Sequence, residues 1–75
     1  MNKEENFQIR GEYITLDALL KAAGIVGSGG EAKERIQAGE IRVDGEPELR
    51  RGRKLKGGEL VEAEGRRIRL SAPAS

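Results

Sequence analysis

The spacing of apolar residues changes period along this chain, and that change limits what it can fold into. Leu16, Leu19, Leu20 and Ala23 fall at i, i+3, i+4 and i+7, one face of a helix, with Thr15 at the N-cap position, Asp17 in the first turn and Gly24 at the stop. Ser28 followed three residues later by Glu31 is a capping-box pattern, so a second helix opens there; Ala32 and Ile36 give it a narrow apolar stripe and Gly39 ends it. Beyond Gly39 the period drops to two. "EIRVDG" alternates, with Ile41 and Val43 facing one way and Arg42 the other, before an Asp44-Gly45 turn. "GGELVEAEGRRIRL" reads as a hairpin: Leu60 to Ala63 on one strand, a turn near Gly65, and Ile68 with Leu70 facing the core on the return. Upstream of the helices, Phe7 to Ile9 alternate as a short strand that Gly11 ends.

Strand, two helices, then three or more strands is the order of an α+β module, two short helices packed on one side of a small, mostly antiparallel sheet. A chain of 75 residues supplies one thin core, so a single domain is expected over residues 7–70. Residues 1–6 and 71–75, the latter with Pro73, read as flexible tails.

The composition narrows function by what it withholds. The chain has no cysteine and no histidine, which removes disulfides, thiolate and imidazole metal ligands and the commonest general base. No catalytic residue, cofactor or metal ligand is assigned. No segment approaches the ~20 apolar residues of a membrane span. The N-terminal "MNKEENFQIR" lacks the apolar core of a signal peptide, so a cytoplasmic protein without a membrane partner is expected.

A net charge of +1 hides an asymmetry. Residues 1–48 carry six Lys/Arg against ten Asp/Glu, whereas residues 49–75 carry eight against three. The excess concentrates in "LRRGRKLKGGE", where Arg50, Arg51, Arg53, Lys54 and Lys56 occupy five of seven consecutive positions. Gly52 interrupts the run, and Leu49 and Leu55 are the apolar residues available to pin it, which suits an exposed loop and strand edge better than a helix. So many neighbouring cations repel one another unless a polyanion neutralises them, and that points to nucleic acid. Phe7 and Tyr13 are the only aromatics, too few for the row of stacking platforms that single-strand binders use. Neither helix carries a base-reading array for DNA, and the run lacks interleaved apolar residues that would enter a membrane. Recognition of the backbone and shape of a structured RNA is favoured over base stacking, with DNA as the less suited alternative.

Two other patterns carry less. "GSGGEA" imitates a dinucleotide fingerprint, but it follows a helix instead of a strand and no second βαβ half exists. Its glycines either shape a tight interhelical turn or let a phosphate approach the second helix's N-terminus. Glu62 and Glu64 sit at i, i+2, and without a pocket they read as solvent-facing charges flanking Ala63.

"ITLDALLKAAGIVGSGGEAKERIQAGEIRVDGE" followed by "RRGRKLKGGELVE" resembles the S4-like RNA-binding domain, and more closely its small stand-alone bacterial members of the YbcJ type. The resemblance covers about Phe7 to Leu70 and implies the αL-type motif, in which the two helices and the following strand bind RNA. It implies a non-enzymatic module acting on ribosomal RNA or tRNA, with Ser28, Gly29, Gly30 and Lys33 in the RNA-facing segment beside Arg50, Arg51, Arg53 and Lys54. Many S4-like domains have an arginine where this chain has Gly29, so a side-chain contact is lost there. Lys56 at the end of the run and Arg42 on the outward face of its strand complete the candidate set. The alternative is a protein-interaction module whose basic face docks on an acidic partner of the translation or RNA-processing machinery.

Overall fold

In the computed structural model, which describes residues 3–73, both helices start and stop where the sequence places them. Helix α1 spans Leu16–Ala22 and α2 spans Gly29–Gln37. Each closes with the same six-residue device: Gly24 N–H donates to Lys21 O and Ile25 N–H to Leu20 O, then Gly39 N–H to Ile36 O and Glu40 N–H to Arg35 O. Gly24 and Gly39 hold φ of 75° and 79°, the left-handed conformation that this helix ending requires and that glycine adopts without strain.

The strands are β1 (Glu4–Gln8), β2 (Ile14–Thr15), β3 (Arg42–Val43), β4 (Glu46–Pro47), β5 (Lys54–Leu55), β6 (Leu60–Ala63) and β7 (Arg66–Ser71). Five of them form one sheet in the order β1-β7-β6-β3-β4, antiparallel except for the parallel pair β1 and β7. The expected hairpin is present, with Val61 opposite Ile68 and both buried. A second small sheet pairs β2 with β5, Ile14 opposite Leu55 and Thr15 opposite Lys54. The architecture is the expected α+β module.

The helices cover one face of the larger sheet. Leu16, Leu19 and Leu20 of α1 and Ala32 and Ile36 of α2 meet Val43, Val61, Ala63, Ile68 and Leu70 in one cluster. Ile25 and Val26, in the connection between the helices, are also buried there, as are Ile9 and Ile41 beside strand ends. Connections that bury apolar residues raise a small domain's limited core above what its periodic elements supply.

The ends differ from expectation. Strand β1 begins at Glu4, inside the segment read as a tail, because Arg66 and Arg69 on β7 receive its acidic residues: Arg66 Nη2 lies 2.7 Å from Glu5 Oε1 and Arg69 Nη2 lies 3.2 Å from Glu4 Oε1. At the other end Ser71 belongs to β7, opposite Gln8. The remaining tail positions, residues 1–2 and 74–75, lie outside the described residues. Leu49 does not pin its segment either: it is 59% exposed, while Leu55 is fully buried.

Gly57 follows the basic run and packs closely against Ala72, just past the end of β7. A Cβ on this residue would lie 2.7 Å from Ala72 N and 2.9 Å from Ala72 Cα, and its φ of +127° is one that side-chain-bearing residues rarely adopt. Gly57→Ala should therefore cost about 2 kcal/mol or more. Gly52→Ala, whose new Cβ meets nothing within 4 Å, should stay within about 0.5 kcal/mol of the parent. Urea midpoints of the three proteins compare the two costs.

Candidate nucleic-acid interface

The basic run is fixed to the body through its backbone. Glu48 N–H donates to Ile41 O as the chain leaves β4, and Arg53 N–H donates to Arg50 O across the bend. The first N–H groups of α1, which have no intrahelical partner, find theirs in this loop: Leu16 N–H donates to Arg53 O at 2.9 Å and Asp17 N–H to Arg51 O at 3.1 Å. Thr15 holds the N-cap position but its hydroxyl makes no cap, donating instead to Asp17 Oδ1 at 2.6 Å. With its carbonyls turned onto the helix, the loop is held in part by its backbone.

Glu48 orders two of the loop's charged side chains. It is buried, and its carboxylate accepts from Arg50 N–H at 3.1 Å, Arg50 Nε at 3.2 Å and Arg53 Nη1 at 2.8 Å. The Arg50 side-chain hydrogen bond is the main reason the carboxyl falls from its ordinary 4.5 to about 2; Arg53 and the Arg50 backbone add to it, and burial opposes them. Arg50 is held at its guanidinium yet keeps 76% of its side chain exposed, against 32% for Arg53. Arg51 and Lys56 are exposed and, among the described residues, neither lies within ion-pairing distance of a carboxylate. Lys54 likewise has no carboxylate partner; its Nζ rests 4.9 Å above the centre of the Tyr13 ring. Arg50, Gly52, Arg53 and Lys54 line an open cleft of about 420 Å³.

The N-terminus of α2 is partly taken up by its own carboxylate. Ser28 caps it as expected, its Oγ accepting from Glu31 N–H at 3.2 Å, and Glu31 reaches back to accept from Gly27 N–H at 2.7 Å. The N–H groups of Gly29 and Gly30 have no acceptor among the described residues. The Glu31 carboxylate already stands at that end of the helix dipole, however, and is shared with Arg35 in the next turn. Lys33 is exposed on α2, clear of the Ala32 and Ile36 stripe. The connection to Ser28 leaves from the C-terminal end of α1, whereas the basic loop caps its N-terminal end.

Arg42 is carried by the sheet. It is exposed on β3 between two buried neighbours, Ile41 and Val43, so it lies on the sheet face away from the helices, opposite Glu62 of β6. The acidic pair is also placed. Glu62 faces Arg67 across the hairpin with 3.8 Å between charged atoms, and Glu64 is in the turn with φ of 51°, paired with Arg35 of α2.

Sequence reading missed Glu48 as the organiser of the run and Tyr13 as a surface residue beside it. An acidic residue two positions ahead of an arginine run is the one available signal for the first. For the second there is none, because the two-residue ladder that brings Tyr13 to Lys54 is too short to show a period.

The depressed Glu48 carboxyl contributes stability that is complete above pH 4.5 and lost as pH falls through about 2. Glu48→Gln should lower stability by about 1 to 2 kcal/mol at neutral pH, with Arg50's exposure limiting the figure. The gap between the two proteins should close towards pH 2, as followed by urea unfolding at each pH.

Among known proteins, the chain is 50% identical over 54 residues to the probable ribosome maturation protein RlbA of Bacillus subtilis (strain 168), an alignment covering 72% of this chain and 76% of the relative. The family model of the S4 domain matches residues 7–71, nearly everything from β1 to the end of β7, and the chain belongs to the S4 domain family.

Proposed function

We propose that this protein is a non-enzymatic RNA-binding module that grips the phosphate backbone of a folded RNA, with the precursor of a ribosomal subunit as the setting. The observation that carries this reading is the loop from Arg50 to Lys56, ordered by its backbone and by Glu48 while Arg51, Lys54 and Lys56 have no carboxylate partner among the described residues. A cation that is already positioned and not neutralised releases counterions from RNA at little ordering cost. Membership of the S4 family and the relative's name, a probable ribosome maturation protein, agree with ribosomal RNA more directly than with tRNA.

Within the loop the work divides. Arg51, Lys54 and Lys56 make the phosphate contacts that carry affinity, and Arg50 and Arg53 border the cleft at angles set by Glu48. Lys33 and the free N–H groups of Gly29 and Gly30 add a second, weaker contact at α2. Arg42, on the opposite face, takes no part.

Fluorescence anisotropy with a folded ribosomal RNA fragment, a single strand and a DNA duplex of matched length, each across a salt series, tests the reading. Folded RNA should bind tightest. Replacing Arg51, Lys54 and Lys56 together by Ala should flatten the slope of log K against log salt by about 2 to 3 units, while Arg42→Ala leaves it unchanged. Equal binding of all three nucleic acids, or none, would turn the basic face towards an acidic protein partner instead.

A further inference from the structure

The small ladder of β2 and β5 has an outer face that the phosphate grip does not account for. Ile14 and Leu55 are paired and turn inward, Leu55 completely buried. Alternation then puts the other pair, Thr15 and Lys54, on the outward side, and the same register extended by one residue sets Tyr13 against Lys56. Tyr13 is 41% exposed and is one of two large apolar side chains at the surface of the described residues. Phe7, the other aromatic, is packed against the core. One ring and two lysines without carboxylate partners thus share the outward face of a ladder whose inward residues fix its position.

We propose that Tyr13 is a stacking platform for one unpaired nucleobase, with Lys54 taking a phosphate of the same strand. This rests on the RNA-binding reading above and adds a specificity to it: the protein would favour a folded RNA with a bulged or looped-out base at the border of the basic loop. A base presents a flat face to a Tyr ring whatever its identity, so the preference is for an unpaired nucleotide over a paired one. The contact between Lys54 and the ring is an exposed cation–π interaction, weak enough to exchange. Because Lys54 has no ion pair among the described residues, its ammonium can move from the ring face to a phosphate as the base arrives.

Two short RNA hairpins test this, one with a single bulged 2-aminopurine and one fully paired. The native protein should prefer the bulged hairpin and quench its 2-aminopurine fluorescence. Tyr13→Phe should behave likewise, whereas Tyr13→Leu should bind the bulged hairpin about 5- to 50-fold more weakly and leave the probe bright. The salt slope should be the same for all three proteins, since no charge is removed. Equal affinity and equal quenching by Tyr13→Leu and the native protein would overturn the stacking role while leaving the phosphate grip standing. Failure of the native protein to bind either hairpin would overturn both readings. Tyr13 lies outside the core, and a matching urea midpoint for Tyr13→Leu confirms that the fold is intact.

Discussion

The basic loop depends on a buried carboxylate. Two unit charges of the same sign 4 Å apart repel by about 1 kcal/mol in water and by more near a protein surface, so a run such as Arg50 to Lys56 left to itself would splay. Glu48 stands at its root, tied by its own N–H to Ile41 O, and draws Arg50 and Arg53 to one point. With those two arginines gathered, the loop carbonyls of Arg51 and Arg53 can turn inward to cap α1. The same carboxylate therefore reduces the repulsion and lets the loop complete a helix. The free charges of Arg51, Lys54 and Lys56 are what the arrangement leaves over.

The charge asymmetry of the sequence takes a different meaning in three dimensions. The arginines of β7 look like part of a basic C-terminal half, but Arg66 and Arg69 are paired with Glu5 and Glu4 of β1, and Arg67 faces Glu62 of β6. The parallel contact between the first and last strands brings acidic and basic ends of the chain together. Much of the excess in residues 49–75 is thus spent on the sheet's own ion pairs. Of the cations in residues 49–75, those left without ion pairs among the described residues are Arg51, Lys54 and Lys56, in the loop and on the outer face of the β2–β5 ladder, and this is why a protein of net charge +1 can present a basic surface.

Periodicity and punctuation carried most of the fold. The helix faces of Leu16, Leu19, Leu20, Ala32 and Ile36, the stops at Gly24 and Gly39 and the hairpin through Gly65 are all local signals, and local signals survive in a single sequence. What escaped was set by long-range partners. Glu4 and Glu5 look like a solvated tail until Arg69 and Arg66, more than sixty residues away, are seen beside them. Ile14 and Thr15 form a strand only because Lys54 and Leu55 come alongside. In the site, the type of surface was legible in the arginines and lysines, but the division between held and free cations was not, since it turns on which of them Glu48 reaches. Leu49 makes the same point in reverse. Its apolar side chain suggested an anchor, yet the anchoring is done by backbone hydrogen bonds and by Leu55.

The position of Arg42 shows how topology decides membership of a surface. In sequence it lies between α2 and the basic run, nearer to both than they are to each other. In the sheet, strand alternation sends its side chain away from the helices, into a row with Glu62 and Arg67. A one-residue shift of β3 would carry Arg42 to the helix side and expose Ile41 and Val43, and burial of those two residues forbids it. The surface that faces RNA in our reading is thus limited by hydrophobic register as much as by charge. Lys54 and Lys56, on either side of buried Leu55, share the outward side of the β2–β5 ladder.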